Sequence, residues 1–380
     1  MTNYNKFKRG SEWRKWDLHV HTASSYDAYK GNDANELLTK AWIENNISAV
    51  AITDHFLIDS RRIKELRALA PDITVFPGVE LRTDKGASNL HVILIFSDLT
   101  DIDELSEKFR VIMINQKAKA KESDDTIYWD FNDILEFAKE NEGLVSLHTG
   151  NKTQGLDHVI TNKMPVNMAI KTEIAGFSHF YEIGKIEDIQ EHIEKVFPHI
   201  GFKPLVLCSD NHDPRNYEIK ENLWIKADTT FEGLKQLVYE PFERVKIQRN
   251  KPEEKRGYYA IDSIKLSEQG FWNQTIFLNE NLNTIIGGRA TGKSTLLSCI
   301  AQKGGVQVDK DFINKHSNYI EVTWKDGEID TERDIDFFPQ NYMFEIASDS
   351  KKRDSLIERI IEDYDVEKYF ETYKGFTTSN

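Results

Sequence analysis

The sequence predicts an α/β chain, a β/α barrel followed by a second α/β unit, on three observations. Short apolar runs alternate with helix-like segments from about residue 16 to 240, the pattern of βαβ units and a mainly parallel sheet. Metal-capable side chains in this region follow such runs, at the strand ends where barrel active sites gather. A glycine-rich turn at Gly287–Ser294 separates a strand-like run from a helix-like one.

Taken in order, Asp33–Asn45 has helical spacing, with Asn32 or Asp33 placed to cap it, and Ile47–Thr53 reads as a strand. Asp59–Leu69 is again helical, and Ile73–Phe76 and Val79–Leu81 are extended around Pro77-Gly78. His91–Phe96 reads as a buried strand, 101–131 as a solvated helix or loop, Phe131–Glu140 as a helix and Leu144–Leu147 as a strand. Ile170–Ala175, Leu205–Cys208 and Leu223–Lys226 complete the expected strands. Arg249–Gly257 is charged, contains Pro and Gly and lacks a large apolar residue, so it reads as a linker. The expected domains are 1–245 and 258–380, joined by 246–257. Extended segments at Ile261–Leu266 and Thr275–Leu278 open the second, with Tyr319–Lys325 strand-like later.

At 380 residues, 39% hydrophobic and 29% charged, the chain can bury two cores. No apolar run reaches membrane-spanning length, the first residues lack the apolar stretch expected of a secretory signal, and Cys208 and Cys299 read as reduced core residues. A cytoplasmic protein is expected. A net charge of −14 argues against coating nucleic acid by bulk attraction, but leaves room for a local basic channel.

The candidate ligands are His19, His21, Asp27, His55, Glu80, His91, His148, Asp210 and His212. His19 and His21 stand two apart, so on a strand they share a face and can reach one ion. Asp54-His55 and Asp210-Asn211-His212 set carboxylate and imidazole close together at run ends. Imidazoles and carboxylates without thiolates favour manganese, zinc or iron over magnesium, and two or three such ions together commonly serve hydrolysis. Asp17 and Asp54 are candidates to orient ligand imidazoles. Arg82 and Lys152 are candidates for phosphate contact or for plain solvation. His179 is a candidate for substrate contact, while His158, His192, His199 and His316 read as structural. Trp42, Trp129 and Trp224 read as core more than as base-stacking platforms.

These segments resemble the motifs of the PHP (polymerase and histidinol phosphatase) superfamily over roughly residues 14–245. That resemblance implies a distorted seven-stranded β/α barrel with a trinuclear metal centre. His19, His21, Glu80 and Asp210 would hold a first ion, Glu80, His91 and His148 a second, and Asp27, His55 and His212 a third. Glu80, Asp210 and His212 would carry catalysis. Asp27 stands where some members have His, which bears on the third ion's identity or occupancy.

Gly287–Ser294 fits G-x-x-x-x-G-K-[ST], with Thr284–Ile286 as the strand before and Ser294–Ala301 as the helix after. Gly287, Arg289, Gly292, Lys293, Ser294 and Thr295 would bind ATP with magnesium. Gln340 resembles the Q-loop of ABC-type ATPases of the chromosome-maintenance (SMC) kind. No apolar strand ending in Asp-Glu and no Ser-Gly-Gly signature follows it, so a partial ATPase domain is expected, completed by a homo-oligomer or a partner chain. Ser11–Trp16, Ile225–Asp228 and Phe231–Leu234 extend the likeness to TrlF-like PHP–ATPases over residues 10–345. The function this implies is a metal-dependent phosphodiesterase acting on DNA or RNA, regulated by the ATPase half, with phage defence or repair as settings. The alternatives are a phosphomonoesterase on a small metabolite and an ATP-gated nucleic-acid clamp with a structural barrel.

Overall fold

The computed structural model describes residues 8–85, 90–119, 128–150, 152, 155–156, 160, 165–252, 255–270, 272–308, 310–339, 342–351, 353–354 and 357. The chain divides into two units, Met1–Glu253 and Glu254–Asn380. Gln340 and His158, singled out above, lie outside the described residues.

The first unit is built on β1 (Glu12–Val20), β2 (Ile47–Ile52), β3 (Thr74–Arg82), β4 (His91–Ile95), β5 (Leu144–His148), β6 (Phe180–Glu182), β7 (Leu205–Val206), β8 (Leu223–Ala227) and β9 (Val245–Ile247). They form one sheet in the order β7-β6-β5-β4-β3-β2-β1-β8-β9. Strands β7 and β9, at its two ends, touch, so the sheet curls into a nearly closed barrel. The sheet has nine strands where seven were expected, and it is mixed instead of mainly parallel. Pairs β1–β2, β2–β3, β5–β6 and β6–β7 are parallel, while β3–β4, β4–β5, β1–β8 and β8–β9 are antiparallel. The link 83–90 is too short for a crossover, so β4 must run back along β3. Strands β8 and β9 then fill the gap between β1 and β7.

Helices cover the outside. Helix α1 (Ala34–Glu44) buries Leu38 and Trp42, and α2 (Ser60–Leu69) buries Ile63 and Leu66 beneath an Asp59 cap that accepts from Arg62 N–H. Helices α3 (Ile102–Lys119) and α4 (Phe131–Glu140) follow β4; Trp129, just before α4, stacks on Phe109 of α3 at 5.4 Å. Residues expected as a strand at Ile170–Ala175 lie instead in α5 (Pro165–Gly176). The buried set Lys171, Ile174 and Ala175 explains why, because a spacing of three and four is a helical stripe. Trp42 and Trp129 are fully buried and Trp224 nearly so, which makes all three core residues.

The barrel interior shows how this architecture positions a site. Residues two apart on a strand share a face, so the inward columns run Ile95-Ile93-His91, Leu144-Ser146-His148, Phe180-Glu182, Val206-Cys208-Asp210 and Phe76-Gly78-Glu80. The apolar members belong to one buried cluster with Trp16, Leu18, Ala49, Ala51 and Phe231. Each column changes from apolar to donor side chain toward the same end. His91 opens its strand while His148 closes one, and the antiparallel run of β4 brings both to that end.

The second unit has an antiparallel three-stranded sheet, β11 (Trp272–Phe277), β10 (Ile261–Glu268) and β12 (Ile320–Trp324). Helices α6 (Lys293–Lys303) and α7 (Asp311–Ser317) pack on it through Leu296, Cys299 and Ile313. The strand expected at Thr284–Ile286 is not in any sheet, and Leu282 and Ile286 are 85% and 88% exposed. Among the described residues no neighbouring strand pairs with it, and an unpaired strand has nothing to hold its backbone. No helix among the described residues is long and apolar enough to cross a membrane.

Candidate metal centre

All nine candidate ligands of the first unit converge at the donor end of the barrel. The bulge that shifts β1 between Asp17 and Val20 lets His19 and His21 turn their Nε2 atoms to within 3.0 Å of each other. Both nitrogens face Glu80 Oε2, at 3.0 and 3.2 Å, and Asp210 Oδ1, at 3.2 and 3.4 Å. Glu80 turns its other oxygen to His91 Nδ1, and His148 Nε2 lies 3.9 Å from it. Asp27 Oδ2 sits 3.3 Å from His55 Nε2 and 3.2 Å from His212 Nε2. The His21 ring stacks on those of His55 and His212, with centroids 4.6 and 3.9 Å away.

Backbone geometry aims these groups. Asp210 holds a left-handed φ of 55°, fixed by its N–H donating to His19 carbonyl oxygen at 3.0 Å. Phe56, after His55, also has φ of 55°. Non-glycine residues adopt this region at some cost, and such positions cluster at functional sites. His212 Nδ1–H donates to Asp210 carbonyl oxygen at 2.9 Å, which leaves Nε2 as the lone-pair atom. Asp17 and Asp54 act differently from the ring-orienting role expected. Asp17 accepts from Ser209 N–H, Tyr217 O–H and His19 N–H; Asp54 accepts from Thr22 N–H and hydroxyl. They hold the ligand-bearing backbone, not the imidazoles.

Sequence reasoning missed Glu182. It ends the three-residue strand β6, hidden because Ile170–Ala175 was read as the strand there; an acid closing Phe180-Tyr181 two residues before Gly184 was the available signal. Both its oxygens lie 3.0 Å from His19 Nδ1, and one lies 3.4 Å from His148 Nε2 without hydrogen-bond geometry. Lys152 is not solvated: it is buried, contacts Glu182 and stands 3.5 Å from Asp210 Oδ2. Arg82 lies over the Phe56 ring at 4.8 Å. His179 accepts Val145 N–H at 3.0 Å, a structural contact between strand ends in place of the substrate contact considered above. His192 likewise bonds Thr149 and the Asp188 carbonyl, and His316 pairs with Glu268.

The donor chemistry fits divalent cations. Buried ring nitrogens His21 Nδ1, His55 Nδ1, His91 Nε2 and both of His148 have no hydrogen-bond partner among the described residues. Four carboxylates, Asp27, Glu80, Glu182 and Asp210, gather among these rings, and Lys152 meets two of them, Glu182 and Asp210. Such an excess of partly buried carboxylate demands compensating positive charge. Among the described residues, four donor groups, each with ligand atoms within 4.8 Å of one another, could hold an ion: His21, His55 and His212; His19, His21, Glu80 and Asp210; His19, His148 and Glu182; Glu80, His91 and His148.

Electrostatics follow from the same contacts. Burial opposes ionisation of Glu80, but His19, His21 and His91 hold its carboxyl well below the usual range. Burial likewise opposes protonation of His21, yet Asp210 and Glu80 raise its pKa to about 9. His19 rises well above the ordinary histidine value against its own burial, through Asp210, Glu182 and Glu80. His148 is driven down to about 4 by burial and by Lys152. In the metal-free protein the raised histidines stabilise the fold fully below about pH 6.5, and this contribution is lost as pH rises through about 9. Protons on His19 and His21 also compete with cations. Affinity for zinc or manganese, measured calorimetrically, is therefore expected to strengthen as pH rises from about 6 to 9; a flat profile would contradict the assignment of His19 and His21 as ligands.

In the second unit, Gly292 takes φ of 89° at the start of α6, and Lys293 Nζ donates to the carbonyls of Gly287 and Gly288 at 2.8 and 2.5 Å. Arg289 and Ser294 are exposed and Thr295 is half-buried on the first turn.

A nearly closed barrel with polynuclear donor geometry defines a candidate metallohydrolase. Residues 17–202 match the PHP domain model. No curated protein matches the chain. Solved structures with distant similarity include the following three. A protein from Bifidobacterium adolescentis inferred to be a metal-dependent phosphoesterase is 13% identical, with a TM-score of 0.40 over 60% of this chain and 97% of its own. An amidohydrolase from Chromobacterium violaceum, with bound sulfate and no metal, is 11% identical, with a TM-score of 0.39 over 55% and 90%. PsfC from Pseudomonas syringae is 12% identical, with a TM-score of 0.37 over 57% and 82%.

Proposed function

We propose that the PHP domain is a metal-dependent phosphoesterase whose substrate is the phosphodiester backbone of nucleic acid. The observation that carries this is the sharing of Glu80 between two adjacent donor groups, which would set two cations side by side at one phosphate. Divalent ions held there supply activation of water and neutralisation of phosphoryl oxygens. Glu80 and Asp210 fix the donor geometry. His212, at the solvent-facing side, keeps a lone pair on Nε2 that would serve the donor group it shares with His21 and His55. These groups line a cavity of about 430 Å³ that also includes Lys152, Lys185 and Lys220. Exposed Lys185 and Lys220 at its mouth suit the flanking phosphates of a strand.

The P-loop motif Gly287–Ser294 supports coupling to an SMC-like ATPase module, with Gly287, Gly292, Lys293 and Ser294 on nucleotide phosphates and a second copy or partner chain completing that site. The test is incubation of purified protein with labelled DNA, labelled RNA and p-nitrophenyl phosphate in manganese, with EDTA, and with Asp210→Ala. Cleavage of a polynucleotide that is lost with both EDTA and Asp210→Ala is expected. Turnover of the nitrophenyl ester alone would replace the diesterase by a monoesterase, and cleavage surviving in Asp210→Ala would remove the site altogether. Lys293→Ala is expected to lose ATP binding without changing metal content.

A further inference from the structure

Glu182 and Lys152 form a buried ion pair beside His19 and Asp210, 1% and 8% exposed. Glu182 offers both oxygens to His19 Nδ1, each at 3.0 Å, while His19 Nε2 faces Glu80 and Asp210. A neutral imidazole carries one N–H. With that hydrogen on Nδ1, donated to Glu182, the lone pair sits on Nε2 and points at the cations. Lys152 meets Glu182 Oε1 and lies 3.5 Å from Asp210 Oδ2, whereas Asp210 Oδ1 faces His19 and His21.

Resting on the metal-centre reading above, we infer that Glu182 is a positioning residue that fixes the His19 tautomer, and that Lys152 is its clamp. Lys152 ties Glu182 down as an acceptor and withholds Asp210 Oδ2, so Asp210 presents one oxygen to the centre. The competing arrangement makes Glu182 itself a ligand beside His19 and His148, since those three donors also lie close enough to share an ion. The two differ at one atom. A positioning Glu182 requires a proton on His19 Nδ1; a ligating Glu182 requires that nitrogen to be bare. Partners of this kind typically change metal affinity by about 10–100-fold when removed.

The experiment is a zinc titration of chelator-stripped protein against a competing chromophoric chelator, paired with nitrogen-15 histidine spectra of zinc-loaded wild-type protein. A protonated His19 Nδ1 is expected, with Glu182→Gln binding zinc about 10–100-fold more weakly at unchanged circular dichroism. Should Glu182→Gln not fold, the variant combining Lys152→Met with Glu182→Gln removes the pair as a neutral whole, and the same weakening is expected. An unprotonated His19 Nδ1, or wild-type affinity in the folded variant, overturns the inference while leaving the metal centre intact. Failure of wild-type protein to bind zinc overturns both.

Discussion

Glu80→Gln is expected to lower phosphoester turnover on the order of 10³-fold, about 4 kcal/mol of transition-state stabilisation, and to reduce bound metal by at least one ion per chain. Glu80 is 2% exposed and within 3.4 Å of His19, His21, His55 and His91. No other carboxylate belongs to two of the donor groups. Glutamine preserves the shape but supplies one neutral oxygen where two charged ones are needed, so neither ion keeps a full set. Asp27 is the contrast. Its side chain is 35% exposed and meets His55, His212 and the Ser25 hydroxyl, so Asp27→Asn should cost about tenfold, as solvent replaces part of what it supplies. Metal content by inductively coupled plasma mass spectrometry and initial rates measure both. Equal losses in the two variants would mean that Glu80 does not bridge.

Why the donor positions were legible, and Glu182 was not, follows from how a barrel writes itself into sequence. His19, His55, His148 and Asp210 follow apolar runs long enough to read as strands, so a polar group at the end stands out. Strands β6 and β7 have only three and two residues, too short for any periodic signal. Strand β7 remained visible because Leu205–Cys208 is apolar beyond its paired residues; β6 was masked by the apolar spacing of α5. The antiparallel course of β4 was readable in principle from the short 83–90 link. Lys152 shows a different limit: burial of a lysine depends on partners thirty and more residues away, here Glu182 and Asp210. In the second unit the motif Gly287–Ser294 and helix α6 were legible, while the strand at Thr284–Ile286 was not formed. A strand depends on a neighbour that no local pattern can supply.

Gly78→Ala is expected to destabilise the first unit by about 3 kcal/mol and to take metal affinity with it. Gly78 lies between Phe76 and Glu80 on the inward face of β3, with β2 on one side and β4 on the other. A Cβ there would come within 2.6 Å of Leu94 carbonyl oxygen and 3.0 Å of Ile52 carbonyl oxygen. Both are backbone atoms in paired strands, so no rotamer change relieves the clash and the sheet itself must spread. Spreading moves Glu80, two residues along, away from His91 on the facing strand. Gly176→Ala is the matched control: its Cβ would meet nothing within 4 Å, and a change within about 0.5 kcal/mol is expected. Urea unfolding of both variants, with zinc affinity beside it, gives the comparison. Wild-type stability in Gly78→Ala would mean that β3 is not clamped between its neighbours, and with that the geometry assigned to Glu80 would fall.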